Sequence, residues 1–159
     1  MISRKLDTAH VSMDARTRLG SLAEAKVLAK LIENGFDVYV QLSGKAPFDL
    51  IAHRDGQLVR VQVKGSASRT RYGVYQVQLK AVRANRTGNT IHCFDPSCCD
   101  ALAVFIEPLD TVCFLRADEI RCRHQLNLRE ERRPQDRECW LIADLERVDR
   151  ILRGHTQGA

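Results

Sequence analysis

From Gly56 to Phe94 the chain contains no aspartate and no glutamate, yet it carries seven basic residues there: Arg60, Lys64, Arg69, Arg71, Lys80, Arg83 and Arg86. A stretch with no acid of its own points outward for its counter-charge, most simply to a phosphate backbone. The plainer explanation, a solvated surface, covers most charge runs, but acids are wholly absent from this one. No apolar run approaches the roughly 20 residues of a membrane span; the longest is Ala101 to Ile106. No cationic leader precedes an apolar run of signal-peptide length, so a cytoplasmic location is expected, with the six cysteines reduced. There is no Cys-x₂-Cys pair, and His92-Cys93 with Cys98-Cys99 has the wrong spacing for a zinc finger. Gly44-Lys45 lacks the glycine that a P-loop needs before it. Zinc-finger, P-loop and membrane-spanning classes are therefore disfavoured.

What is present fits one α/β domain of 159 residues, long enough to bury a core without disulfide or metal staples. Residues 1–16 read as a polar N-terminal tail. From about Thr17 to Asn34 the apolar residues Leu22, Ala25, Leu28, Ala29 and Ile32 fall at helical intervals, and Gly35 supplies a C-terminal stop. Glu24 lies at the edge of that stripe, where it either faces a sheet or pairs with a nearby lysine. Gly20, one turn earlier, leaves backbone open to a strand or a phosphate. Phe36 to Leu42 and Tyr72 to Lys80 alternate as strands, the latter with Tyr75, Val77 and Leu79 on one side. Ala84 to Asn89 reads as a loop, Ala101 to Ile106 as a buried strand, and a further strand follows the turn Pro108-Leu109-Asp110. Residues 117–159 read as a C-terminal helical extension, ending in an amphipathic helix built on Leu145, Val148, Ile151 and Leu152.

The central feature is Pro47-Phe48-Asp49-Leu50, followed by Val61-Gln62-Val63-Lys64, with Asp55-Gly56 between them. Asp-Gly is a strong two-residue hairpin signal because both central positions of a type I′ turn need φ > 0. If Arg54 and Gln57 close the turn, opposed residues have numbers summing to 111, and Asp49 faces Gln62. Side chains two apart share a face, so Asp49, Gln62 and Lys64 are expected to converge. Phe48, Leu50, Val59, Val61 and Val63 fall on the opposite, core face. A carboxylate beside a lysine is useful chemistry: the first offers oxygen to a hard cation such as Mg²⁺, and the second orients a water or offsets phosphate charge.

Pro-Phe-Asp, a hairpin and Gln-Val-Lys together resemble the PD-(D/E)XK nuclease signature, with glutamine in place of the second acid. The resemblance is nearest to the group I intron-associated homing endonucleases. It extends over about residues 17–116 and rests also on Gly20-Ser21-Leu22-Ala23-Glu24-Ala25-Lys26, Asn34-Gly35-Phe36-Asp37-Val38 and Asp100-Ala101-Leu102-Ala103-Val104. It implies a restriction-endonuclease-like core with a mixed sheet of four or five strands flanked by helices. It implies an Mg²⁺-dependent endodeoxyribonuclease, with Mn²⁺ as a substitute, acting on DNA. Glu24, Asp49, Gln62 and Lys64 would be catalytic, and Glu24, Asp49, Gln62 and the Val63 carbonyl would hold the metal. Asp100 matches the family's acid before the later strand and reads as structural. Arg69, Arg71, Arg83 and Arg86 are the candidate DNA contacts. One site per chain against two antiparallel strands suggests a homo-oligomer, a dimer or tetramer. A Holliday-junction-resolvase-like or repair nuclease, and a non-catalytic DNA-binding protein on a nuclease scaffold, remain open alternatives.

Overall fold

The computed structural model describes residues 14–44, 46–85, 88–134 and 138–154, with only the backbone course for those of them within 81–92. The first element, α1 (Ala15–Glu33), buries Ala23, Val27 and Leu31. This row is turned by one position from the expected stripe, and Ile32 stands 55 % exposed. The small Ala23 at its centre lets the helix lie close on the sheet. The helix ends as the sequence predicts: Gly35 has φ +77°, its N–H donates to the Ile32 carbonyl, and the Phe36 N–H donates to the Leu31 carbonyl. These paired bonds satisfy carbonyls that a helix end otherwise leaves open.

Five strands form the main sheet: β1 (Asp37–Val40), β2 (Leu50–Arg54), β3 (Gln57–Ser66), β7 (Ala101–Ile106) and β8 (Thr111–Arg116), side by side in that order. All neighbours are antiparallel except β3 and β7, which makes the sheet mixed. The turn joining β2 to β3 has φ +53° at Asp55 and +74° at Gly56. Its register pairs Arg54 with Gln57 and Leu50 with Val61, the pairing expected from the turn alone. A second sheet places β9 (Gln125–Arg129) between β10 (Cys139–Leu141) and β4 (Tyr75–Gln78). A separate antiparallel ribbon is made by β5 (Ala81–Asn85) and β6 (Gly88–His92).

Two cores follow from the alternation of β3 and β7. Val59, Val61, Val63, Ala101, Ala103 and Phe105 face α1. Leu102, Val104 and Ile106 face the second sheet, meeting Tyr75, Val77, Leu126 and Leu128. Tyr75, Val77 and Leu79 are buried, while Gln76, Gln78 and Lys80 are exposed, as the alternation predicts.

Three expectations are corrected. Ala84 to Asn89 is not a loop throughout, since β5 and β6 run into it, with Arg86 and Thr87 outside the described residues. The described part of 117–159 holds β9, β10 and 3₁₀ turns in place of the expected helices. The physical reason lies in its apolar residues: Leu145 enters the second core, whereas Val148, Ile151 and Leu152 enter the first. A regular helix would have presented them on one face. Lastly, Gly20 has nothing near its absent side chain, and the close approach is at Gly65, where a Cβ would stand 2.7 Å from Leu19 Cγ. Among the described residues no helix is long and apolar enough to cross a membrane.

Candidate active site

The ladder between β2 and β3 stops at Leu50 and Val61. The Asp49 N–H then donates to the Val61 carbonyl at 2.9 Å. Asp49 and Leu50 therefore share one opposed residue, the arrangement of a β-bulge, which re-aims a side chain and ends pairing. The expected direct opposition of Asp49 and Gln62 is thereby corrected. Asp49 Oδ2 instead accepts the Val63 N–H at 2.6 Å, so the carboxylate lies against β3 between Gln62 and Lys64. The bulge also moves Phe48, which packs on the second core while Leu50 joins the first, against the expectation that both share a face.

Past Val61, β3 has β7 along one edge through Ser66 but, among the described residues, no strand along the other. In an extended strand the N–H and C=O of one residue point to the same side. The Val63 carbonyl therefore shares the open edge with the N–H that Asp49 holds. From the α1 side, Glu24 reaches the same place: Glu24, Ser21, Gln41, Gly44, Asp49 and Leu50 line one cleft of about 470 Å³. Partial burial, and next the charge of Asp49, raise the Glu24 carboxyl above the ordinary glutamate range. The lysine-pairing alternative fails for Glu24, which has no ion pair among the described residues, while Lys26 is held by Asp110 at 2.6 Å.

Gln62 and Lys64 oppose Leu102 and Val104 of β7, which belong to the second core. Both are thus carried on the face of β3 turned from α1, half-buried, and do not line the Glu24–Asp49 cleft. Neither has a hydrogen-bond or ion-pair partner among the described residues. The two carboxylates approach the open edge from one side, and the amide and ammonium flank it from the other.

The groups that the cleft brings together are oxygen donors, the Glu24 and Asp49 carboxylates, while the Gln62 amide lies on the other face of β3, so the expected convergence of Asp49, Gln62 and Lys64 on one face is not what the strand presents. The two carboxylates fit a hard divalent cation, with water completing the shell. No group of three or more His, Cys, Asp or Glu suited to a metal occurs among the described residues. The cysteines form no such centre. Burial pushes the Cys99 and Cys113 thiols up to about 11 and about 12, as for small apolar core residues.

Asp100 carries a structural load. It accepts from Arg60 Nε and Nη2 at 3.0 Å each and from the Arg60 N–H at 2.9 Å, which ties the start of β7 to β3. Of the candidate DNA contacts, Arg69 lies 3.6 Å from Glu130 and is partly neutralised, whereas Arg71 stacks on Tyr72 at 4.7 Å from the ring centre and has no acidic partner among the described residues. Arg83 is on β5, and Arg86 lies outside the described residues.

A mixed five-stranded sheet with a helix over it and an acid bulged from its hairpin is the restriction-endonuclease-like class of α/β fold. A solved structure described as a bacterial homing endonuclease, I-Ssp6803I, shares it with a TM-score of 0.67 at 23 % identity, over 76 % of this chain and 82 % of that one. Residues 14–144 match the family model of the PD-(D/E)XK endonucleases, and the chain belongs to that family. No curated protein matches it.

Proposed function

We propose that the chain is a divalent-metal-dependent endonuclease that hydrolyses DNA phosphodiester bonds, in the manner of a homing endonuclease, with Mg²⁺ as cofactor and Mn²⁺ as a substitute. The observation that carries this reading is the bulge: it turns Asp49 out of the ladder into the cleft that Glu24 lines, and the Val63 N–H fixes one of its oxygens. The charge of Asp49 contributes to raising the Glu24 carboxyl, and a cation bound between the two acids would relieve that repulsion.

Glu24, Asp49, the Val63 carbonyl and Gln62 would hold the ion. When bound, it would supply charge neutralisation at the phosphate. The remaining work belongs to the chain. Lys64, without an acidic partner among the described residues, is free to orient the attacking water and offset charge building on the phosphate oxygens. The Val63 N–H keeps Asp49 from rotating as substrate enters. Glu24 would serve as a ligand in its carboxylate form. Gln62 lowers the negative charge of the site relative to the acid that the signature usually has.

The acid-free stretch from Gly56 to Phe94 supports DNA as the partner. Arg71 is the side chain there with the clearest claim to a phosphate, joined by Arg83 and Arg86 of the β5–β6 region and more weakly by Arg69. A homo-oligomer, most simply a dimer, would bring one site to each strand. The proposed place of action is the cytoplasm.

The test is a cleavage assay with and without Mg²⁺ on duplex, four-way-junction and nicked DNA. Duplex cutting that needs the metal supports the homing-like reading. A strong junction or nick preference would move the chain to the resolvase or repair class. Binding with no cutting on any substrate would leave a non-catalytic DNA-binding protein.

A further inference from the structure

Gln41 is the residue after β1. Continuing the β1–β2 register, in which Val40 opposes Leu50, would set Gln41 opposite Asp49. The backbone ladder ends there and the Gln41 side chain takes its place. Its Nε2 donates to the Phe48 carbonyl at 2.7 Å, and its Oε1 accepts the Ala46 N–H at 3.0 Å. A carboxamide has the donor and acceptor of a peptide group, so it can act as one more rung of the sheet. The Phe48 carbonyl belongs to the same peptide unit as the Asp49 N–H, which donates to Val61. Hydrogen bonds therefore run in series from Gln41, through the peptide at the bulge, into β3, and bonds in series polarise one another. Beyond the bulge the Asp49 carboxylate is held by the Val63 N–H. Gln41 also lines the cleft with Glu24 and Asp49.

We propose that Gln41 is a positioning residue: its amide fixes the bulge that turns Asp49 toward Glu24 and thereby sets the affinity of the two carboxylates for a divalent cation. The inference rests on the nuclease reading for what the site binds. It makes glutamine specifically necessary. Methionine has nearly the same length but neither makes nor accepts these bonds. Asparagine is one methylene too short to span both partners. Glutamate keeps the acceptor for Ala46 but sets an oxygen against the Phe48 carbonyl.

The experiment is calorimetric titration of Mg²⁺ into the full chain without DNA, for wild type, Gln41→Met, Asp49→Ala and the double variant. Gln41→Met is expected to weaken Mg²⁺ binding roughly 10- to 100-fold, the usual cost of losing a group that orients a ligand. In the Asp49→Ala background the same substitution should change nothing further, because Gln41 acts through Asp49. A purely structural role would lower the melting temperature of the metal-free protein and leave the affinity alone. Gln41→Asn, a milder change, should reproduce the loss if Gln41→Met does not fold. Affinity in Gln41→Met within about twofold of wild type, or an equal loss with and without Asp49, would overturn the proposal. Failure of the nuclease reading has another signature: the wild type would bind no Mg²⁺ and cut no DNA. Hydrogen exchange at the Asp49 amide still tests Gln41 in that event. Faster exchange in Gln41→Met supports its hold on the bulge, and unchanged protection removes it.

Discussion

At the scale of single residues, the site is a contest between two carboxylates and the groups that steady them. Asp49 has a backbone N–H for one of its oxygens, whereas Glu24 has no such partner among the described residues and is pushed up, first by burial and then by Asp49. The folded state therefore holds the Glu24 proton more tightly than the unfolded chain does. Its contribution to stability is fully present below the ordinary value of 4.5 and is lost as pH rises through the raised folded value. Glu24→Gln removes that loss. In the metal-free protein its melting temperature should match wild type at pH below 4.5, then exceed it increasingly as pH rises, before levelling off. A difference that is constant across pH would show that the Glu24 carboxyl is not raised in the folded protein. Mg²⁺ affinity of the wild type should fall over the same window on acidification, since the cation competes with that proton.

At the scale of elements, the hairpin was legible and its end was not. Asp55-Gly56 specifies a turn, the turn specifies a register, and every pair from Arg54–Gln57 to Leu50–Val61 follows. At the bulge the Gln41 amide, just past β1, bonds the Phe48 carbonyl and the Val61 carbonyl of β3 accepts the Asp49 N–H, partners that periodicity does not reveal. For the same reason the sequence misplaces Phe48, sets Gln62 and Lys64 on one face with Asp49, and gives no sign of the bonds that Gln41 makes. The second sheet was hidden differently: residues 125–129 and 139–141 sit among charges of both signs, and their burial comes from the core that they cover. The approach of α1 to β3 at Gly65 gives a direct test of the layer that carries Glu24. A Cβ there would meet the branching carbon of Leu19, not a free side-chain end, so Gly65→Ala should destabilise by about 1–3 kcal/mol in urea unfolding. Leu19→Ala in the same chain should recover part of it. Equal stability of Gly65→Ala and wild type would mean that the helix does not lie this close.

At the scale of the whole molecule, the acid-free basic stretch from Gly56 to Phe94 is the part of the chain that the proposed function assigns to DNA. Replacing Arg71, Arg83 and Arg86 by alanine should shrink the log–log salt dependence of DNA binding by about 0.9 per lost phosphate contact. Arg69→Ala should change it less, because Glu130 already faces that guanidinium. An unchanged slope in the triple variant would move the DNA to another face. Sedimentation at the concentrations used for cleavage should find a dimer or larger assembly, and full activity in a strict monomer would remove the symmetric arrangement. The most direct measurement is the single-turnover rate of Mg²⁺-dependent duplex cleavage in wild type, Asp49→Ala and Lys64→Ala, each shown to be folded by circular dichroism. Both variants are expected to lose at least about 100-fold in rate, Lys64→Ala while keeping most of its DNA affinity and its Mg²⁺ binding, Asp49→Ala with weakened Mg²⁺ binding as well. Wild-type rates in both would contradict the assignment and reduce the hairpin to a structural element.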